Sequence, residues 1–314
     1  MKSSYFAVLA CALSAISLGA AEAQTCASVR YYYTTLASDV PLACSSDGEA
    51  ILEVEVPSGV TGRAVGRFTM PVENTSTSAI YFWNAFVTVG DPIHSYGIGD
   101  DVCPGATAPA RQSLGYGQLT STSNKVIAKA YQGSAPCVDG KLKAKAGATL
   151  VVWVEDPSPS CVGNTIKYSS FYGRNKPEEG LSWWHWPHIM TTVAKEKMTL
   201  NALDSGLIVV TAAEGTPWVN PNTSCGSESA TLAAQIVVDG SIKATQVTPV
   251  PASSGMGHLV FGMYHPEYLG QGEHTVELML GRNFGGTDDL SRTPSQIVTS
   301  GGCCGDAAMA VIKF

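Results

Sequence analysis

The chain has 314 residues, a formal net charge of −7 at pH 7, and only 14% charged residues. A mildly acidic chain with scattered lysines and arginines lacks the basic stripe of a nucleic-acid-binding protein, and it has no polybasic or amphipathic stretch for a membrane surface. After the leader described next, no stretch approaches the ~18 uninterrupted apolar residues of a membrane span. The length suits two domains of ordinary size better than one small core.

Residues 1–23 have the pattern of a secretory signal peptide. Lys2 precedes an apolar run over residues 5–18, and Ala21-Glu22-Ala23 forms a small-residue cleavage site. The run is too short to cross a bilayer, so the pattern predicts cleavage before Gln24 and a secreted, extracellular protein. An uncleaved anchor is the alternative interpretation.

An even number of cysteines follows the leader: Cys26, Cys44, Cys103, Cys137, Cys161, Cys225, Cys303 and Cys304. In an exported chain, this count predicts structural disulfides. Proximity favours a Cys26–Cys44 bridge. Adjacent strand residues point to opposite faces, so we expect one of Cys303 and Cys304 to bond Cys225 and the other to reach the first half of the chain. A vicinal Cys303–Cys304 bond is the strained alternative.

The first half reads as a series of strands. A short piece with Tyr31-Tyr32-Tyr33 comes first. Clean alternation then predicts a strand over residues 49–57, and further segments rich in apolar residues predict strands over residues 62–70, 79–91, 124–132, 149–156 and 165–173. Residues 94–111 are rich in Gly, Pro and Asp and predict a loop. Residues 175–188 have no period and predict a functional loop or packing between domains. Residues 189–206 form the one candidate helix, with a strand and turn as the equal alternative.

The second half carries the clearest strand signal. An apolar run over residues 231–238 ends at Asp239-Gly240, a dipeptide that favours a tight hairpin turn. Further strands are predicted over residues 207–210, 241–247, 258–264, 273–280 and 307–314. The apolar final strand ends on an aromatic residue, but the chain lacks the evenly spaced strands of an outer-membrane barrel.

These elements predict an all-β protein of two antiparallel β-sandwich domains, with jelly-roll topology as one option, stabilised by disulfides. The predicted boundaries are residues 24–196 and 197–314. The strand patterns of the two halves correspond loosely, as a distant duplication would. The strand–turn–strand rhythm of the second half resembles the jelly-roll heads of the C1q and tumour-necrosis-factor type over about a third of the chain, without a diagnostic motif.

The most unusual run in the sequence is Ser-Trp-Trp-His-Trp-Pro-His over residues 182–188. Trp183, Trp184 and Trp186, with His185 among them, offer flat apolar faces that suit stacking on sugar rings or anchoring a protein. Burial of the same rings between the two domains is the competing interpretation. Pro187 opposes a helix that would align His185 and His188 as metal ligands.

The other candidate sites are weaker. Asp288 and Asp289, like Asp100 and Asp101, lie in Gly-rich segments and could bind calcium, although the spacing matches no calcium loop and solvated turn aspartates are the competing interpretation. Two triplets fit the glycan acceptor pattern, at Asn74 and Asn222, and both fall in predicted loops where a glycan could sit, although such triplets also occur by chance.

No nucleophile elbow, zinc-protease motif or phosphate loop is present, so the sequence favours a non-enzyme. A polysaccharide hydrolase would need two facing carboxylates, and a Ser/His/Asp site would need one of three histidines. The acidic candidates are Glu155, Asp156, Glu178, Glu179 and Glu267, and the histidines are His258, His265 and His274.

The sequence therefore predicts a secreted or surface-displayed binding or structural protein that recognises carbohydrate or protein through loops of a β-sandwich. No cofactor is expected other than the calcium considered above. A secreted polysaccharide hydrolase is one alternative. A self-associating subunit of an extracellular filament or coat is another, because low charge and open sheet edges favour assembly.

Overall fold

The computed structural model describes residues 29–45, 47–77, 81–133, 137–155, 165–171, 190–217, 228–251, 259–282, 297–298 and 307–314. These segments form strands and turns, with no helix among them. The strands are β1 (Val29–Thr35), β2 (Val40–Pro41), β3 (Glu49–Glu55), β4 (Gly62–Asn74), β5 (Tyr81–Val89), β6 (Asp91–Tyr96), β7 (Ile98–Val102), β8 (Thr107–Leu119), β9 (Lys125–Gln132), β10 (Leu142–Ala144), β11 (Thr149–Glu155), β12 (Ile166–Phe171), β13 (Thr191–Leu200), β14 (Gly206–Pro217), β15 (Glu228–Val238), β16 (Ser241–Pro251), β17 (Leu259–Tyr268), β18 (Gly272–Arg282), β19 (Ile297–Val298) and β20 (Ala307–Lys313).

The strands pair antiparallel in four sheets, which confirms the predicted all-β class of packed antiparallel sheets. Sheet I has the order β3-β9-β5-β7, and sheet II has the order β1-β11-β4-β10-β2, with β8 on β4 and β6 on β8. Sheet III has the order β12-β20-β14-β17, and sheet IV has the order β13-β18-β15-β16. The short β19 pairs with β14. Across the described segments, no helix is long and apolar enough to cross a bilayer.

Sheets I and II form the first sandwich. Successive strand residues point to opposite faces, and on β4 the fully buried Phe68, Met70 and Val72 face sheet I. The backbone of β4 also comes close to sheet I at Gly66, where an added Cβ would lie 2.7 Å from Cγ1 of Val87. Glycine at this position therefore allows the two sheets to approach this closely.

Sheet III is covered on both faces, and its strand β20 shows this most clearly. Ala308, Ala310 and Ile312 lie in the same core as the residues of sheets I and II. Met309 and Val311, on the opposite face, lie in a second core with residues of sheet IV. A strand buried on both faces reads as a continuous apolar run, which explains why the last eight residues of the chain are nearly all apolar. The four sheets are therefore stacked as layers in the order I, II, III, IV.

The candidate helix over residues 189–206 is a strand, so the strand-and-turn alternative is the correct one. Thr191–Leu200 is β13, paired with β18. A bulge between Thr192 and Ala194 shifts the alternation, so that the run loses a clean period of two in the sequence. The predicted boundary between residues 196 and 197 falls inside this strand, and β12 of the first half pairs with β20. The division into domains at that point stays a prediction.

The predicted loop over residues 94–111 is wrong. Most of it is strand, since β6 and β7 occupy its first half and β8 begins at Thr107. Strand β8 continues beyond this range to Leu119, and at its Gly115 and Gly117 an added Cβ would lie 2.4 Å from a backbone oxygen. Glycine is required where another backbone approaches this closely. Strand β1 was also not predicted from the sequence.

The predicted Cys26–Cys44 bridge is wrong, because Cys44 bonds Cys137. Proximity in sequence predicted the wrong partner. β2 pairs with β10, and this pairing brings together the segments that carry Cys44 and Cys137, which are 93 residues apart. Cys103 is also disulfide-bonded. The bridges proposed for Cys225, Cys303 and Cys304 lie outside the described residues, as do Cys26 and Cys161, and they stay predictions.

Candidate functional site

Aromatic side chains gather where sheet II meets sheet III, and we call this group the aromatic seam: Tyr31, Tyr33, Arg67, Trp153 and Tyr264. β1 lies at the end of the sheet II order and β17 at the end of the sheet III order. The edges of two different layers therefore supply the tyrosines, about 230 residues apart in the chain.

Strand alternation explains which side chains reach the seam. Tyr31 lies opposite Trp153, and Tyr33 lies opposite Val151, in the β1–β11 pairing. Tyr31 and Tyr33 share a face and point towards sheet III, whereas Tyr32 packs into the core between sheets I and II. The triple tyrosine is thus divided between a core and a surface because side chains alternate along a strand.

The rings of the seam contact one another. The Trp153 ring stacks on Tyr264 with centroids 6.1 Å apart and an interplanar angle of 19°. Tyr31 meets Trp153 edge-on at 6.1 Å and lies 5.9 Å from Tyr33. Trp153 is buried, but Tyr31, Tyr33 and Tyr264 are 41%, 45% and 44% exposed. The seam is therefore a partly exposed aromatic surface with a buried tryptophan beneath it.

Arg67 is the charged member of the seam. Its Cζ lies 4.9 Å from the centroid of the Tyr264 ring, in a cation–π contact. Its Nε is buried without a hydrogen-bond acceptor, and the guanidinium forms no ion pair within the described part of the chain. Burial lowers the pKa of Arg67, and the nearby phenols of Tyr264 and Tyr31 partly oppose this effect. Burial also raises the pKa of Tyr31, so this phenol stays neutral.

Two polar atoms on the same face of sheet II also lack partners in the described part of the chain. Oγ1 of Thr69 and Oε1 of Gln112 are buried without hydrogen bonds, and these two residues lie opposite each other in the β4–β8 pairing. Gln112 lies beneath β17, where its Cβ would be 2.5 Å from a Cβ added at Gly262. Buried polar groups are normally satisfied, so the face of sheet II next to the seam is unusual in having three that are not.

Most of the sites predicted from the tryptophan-rich and acidic segments lie outside the described residues. Trp183, Trp184, His185 and Trp186 lie outside the described residues, and so do Asp288 and Asp289. Asp100 and Asp101 lie on β7. Among the described residues there is no group of three or more His, Cys, Asp or Glu side chains able to hold a metal ion.

The described catalytic candidates are held in ion pairs. Glu155 accepts two hydrogen bonds from Arg63 and one from the backbone of Thr165. Glu267 binds Lys243 and His265, and the Lys243 hydrogen bond is the main cause of the lowered pKa of Glu267. Asp156, Glu178, Glu179 and His258 lie outside the described residues.

His274 is the other described histidine among the catalytic candidates. Its Nδ1 lies 2.7 Å from Asp239 Oδ2, and its Nε2 lies 2.8 Å from the carbonyl oxygen of Gly270. Both partners are acceptors, so this site favours the protonated imidazole, in which both ring nitrogens donate. The hydrogen bond to Asp239 is the main cause of the raised pKa of His274.

Asn74 is not a surface acceptor for a glycan. It ends β4 and is fully buried, its Nδ2 donates to the carbonyl of Val102, and its Oδ1 accepts from the backbone of Ser76. The prediction that this triplet lies in a loop where a glycan could sit is therefore wrong. Asn222 lies outside the described residues.

The seam was not predicted from the sequence. Tyr31-Tyr32-Tyr33 was noticed only as part of a short N-terminal piece. The available signal was an alternating stretch from Val29 to Thr35, which places two tyrosines on one face. Nothing in the sequence connects that stretch to Arg67 or Tyr264, because their proximity depends on the stacking of two sheets.

No protein-family model and no curated protein matches the chain. Among solved structures, the chain is similar to PNGF-II, with 9% identity and a TM-score of 0.35, covering 90% of this chain and 65% of that one. It is also similar to PNGase F, a glycosylasparaginase from Flavobacterium meningosepticum, with 10% identity and a TM-score of 0.42, covering 90% of this chain and 95% of that one.

A third similar structure is that of the tandem CBM51 modules of a family 98 glycoside hydrolase from Streptococcus pneumoniae. The identity is 10% and the TM-score 0.22, with coverage of 88% of this chain and 92% of that one. All three TM-scores are below 0.5, so these similarities carry no argument about what the chain does.

Proposed function

We propose that the protein is an extracellular carbohydrate-binding protein and that the aromatic seam is its binding surface. The observation that supports this proposal is the group of three half-exposed tyrosines, Tyr31, Tyr33 and Tyr264, around the buried Trp153. Tyrosine combines a flat apolar face with a hydroxyl group. A sugar ring has the matching features, namely apolar C–H faces and hydroxyl groups around its edge.

The position of the seam on strands supports binding. Side chains on paired strands are held more precisely than side chains on loops. The tyrosines also lose little conformational entropy when a ligand binds, because each has only two side-chain torsions. The proposed surface thus differs from the loops expected from sequence, and the role of Trp183, Trp184 and Trp186 stays a separate prediction.

A binding role is favoured over hydrolysis by the state of the described carboxylates. A glycosidase needs two carboxyl groups about 5–10 Å apart across the scissile bond, one of them protonated as the acid. Glu155 and Glu267 are instead held by cations, and the pKa of Glu267 is lowered. Glu267 is therefore unsuited to act as the general acid, and Glu155 is occupied by its ion pair with Arg63.

The proposal is tested by a glycan array followed by calorimetric titration of the best ligands. We expect Tyr264→Ala to weaken binding by about tenfold, because it removes a stacking face and exposes Trp153. Tyr268→Ala is the matched control. Tyr268 lies on the same strand and is 76% exposed, but it contacts Phe314 instead of the seam.

Two results would contradict the proposal. One is the absence of binding to any glycan on the array. The other is binding that survives Tyr264→Ala but is abolished by Trp184→Ala, which would move the site to the tryptophan-rich segment.

A further inference from the structure

Two arginines on the same face of β4 have very different surroundings. Arg63 forms a bidentate ion pair with Glu155, with N–O distances of 2.7 and 2.8 Å. Arg67, four residues later, has no carboxylate partner within the described part of the chain, although it is the more buried of the two. The same side chain on the same strand is therefore neutralised at one position and left as a net charge at the other.

An uncompensated guanidinium at a half-buried position is unfavourable for folding alone. Partial burial removes water from the charge, and among the described residues the Tyr264 ring and the Tyr31 phenol replace only some of the lost interaction. Natural chains keep such groups mainly where function requires them. The missing partner is a group that accepts hydrogen bonds from a planar cation, such as a carboxylate or a sulfate.

We infer that the aromatic seam selects acidic saccharides and that Arg67 binds their carboxylate or sulfate group. This inference rests on the proposed function, because it names the class of sugar that the same surface takes. Since Cζ of Arg67 lies 4.9 Å from the centre of the Tyr264 ring, a saccharide that contacts Tyr264 or Tyr31 brings an anionic substituent within reach of the guanidinium.

The overall charge of the protein limits the kind of recognition. The net charge of −7 repels a polyanion at long range, but this repulsion is screened beyond ~8 Å at physiological ionic strength. Recognition is therefore local, with one anionic group at one arginine. We expect the affinity for an acidic oligosaccharide to change little with salt.

The test is a calorimetric titration with three oligosaccharides of equal length: a neutral galactan fragment, an oligogalacturonate and a sulfated galactan fragment. We expect the wild type to prefer at least one acidic ligand over the neutral one by about tenfold or more, as for a charge-assisted hydrogen-bonded pair. The comparison of the two acidic ligands shows whether the preferred anion is a carboxylate or a sulfate.

The decisive variant is Arg67→Gln. It should reduce the acidic preference to near parity and leave the affinity for the neutral fragment within about twofold, because the tyrosines remain. Arg67→Lys keeps the charge but loses the bidentate geometry, so it should retain only part of the preference.

Two controls accompany these variants. Lys141→Gln, which removes an exposed cation outside the seam, should leave the preference unchanged. An unchanged unfolding midpoint shows that each variant is folded, and Arg67→Lys replaces Arg67→Gln if the latter does not fold.

Failure of this inference is distinct from failure of the proposed function. Equal affinity of the wild type for neutral and acidic fragments would overturn the inference, as would an acidic preference that Arg67→Gln does not change. In either case, loss of binding in Tyr264→Ala would leave the proposed function standing. If the wild type binds none of the three fragments and no glycan on the array, both proposals fail together.

Discussion

At the scale of single residues, the surroundings of a charged side chain decide what it contributes. Arg63 and Arg67 have the same chemistry and lie on the same face of β4. Arg63 neutralises Glu155, which is itself nearly buried. Arg67 neutralises no group in the described part of the chain. Their removal should therefore have different effects on stability.

We predict that Arg63→Met lowers the free energy of unfolding by about 2–3 kcal/mol, because it leaves Glu155 as a buried charge without its partner. Arg67→Met should change this free energy by no more than about 1 kcal/mol, since the lost cation–π contact is offset by removal of a partly desolvated charge. Urea denaturation of both variants measures the difference. A loss for Arg67→Met as large as that for Arg63→Met would show that Arg67 has a structural role.

At the scale of elements, the β15–β16 hairpin shows a turn held by a neighbouring strand. Asp239 and Gly240 have φ values of 50° and 76°, which is the pattern of a two-residue type I′ turn. Oδ1 of Asp239 accepts from the backbone of Thr275, and Oδ2 pairs with His274 on β18. The turn predicted from the Asp-Gly dipeptide is confirmed, and its carboxylate also bonds an adjacent strand.

The charges of this pair make the stability of the turn depend on pH. The hydrogen bond to Asp239 is the main cause that raises the pKa of His274 above its ordinary value of 6.5. Burial opposes ionisation of Asp239, but its hydrogen bonds with His274 and Thr275 outweigh this and lower its pKa below 3.8. The contribution of His274 is therefore full below pH 6.5 and is lost as the pH rises through the raised pKa.

We predict that His274→Ala destabilises the protein more at pH 5.5 than at pH 8.5, by about 0.5 kcal/mol, as expected of a partly exposed ion pair. Chemical denaturation at the two pH values provides the measurement. The adjacent Glu273→Gln is the matched control. Lys197 lowers the pKa of Glu273, so this carboxylate stays ionised at both pH values. An equal loss at both pH values for His274→Ala would contradict the prediction.

At the scale of the whole molecule, sheet III connects the two halves of the chain. Its face towards sheet II carries small side chains on β20 and β14, among them Ala308, Ala310 and Ala212. The rings of Tyr116 and Tyr168 stack across this interface with centroids 5.0 Å apart. Sheets II and III therefore share a packed core, and the buried polar groups of Arg67, Thr69 and Gln112 lie at the side of this interface next to the seam.

We predict that the protein unfolds in a single cooperative transition in scanning calorimetry, because one continuous core crosses sheets I, II and III. Ala310→Asp should shift the whole transition downwards by several degrees or prevent folding, since it buries a charge without a partner. Ile242→Asp is the control, because Ile242 is 60% exposed. Two separate transitions, with only one affected by Ala310→Asp, would contradict the prediction.

The sequence alone determined the class of the fold and much of its local structure. Alternation with a period of two predicted the strands that became β3 and β18, and apolar runs predicted those that became β4, β5, β9 and β11. The residues of β11 are buried on both faces, so they form a continuous apolar run. The cysteine count predicted oxidised thiols, and Cys44, Cys103 and Cys137 are disulfide-bonded. It did not predict the partner of Cys44, which depends on the pairing of β2 with β10.

Only the tertiary structure decided what covers each face of a strand. Alternation states that Arg63 and Arg67 share a face, but it does not state that Glu155 meets the first and Tyr264 the second. Likewise, Tyr31 and Tyr264 become neighbours only because sheet II packs on sheet III. Contacts between layers join residues that are far apart in the chain, and no local pattern records them. The candidate site was therefore visible only once the four sheets were stacked.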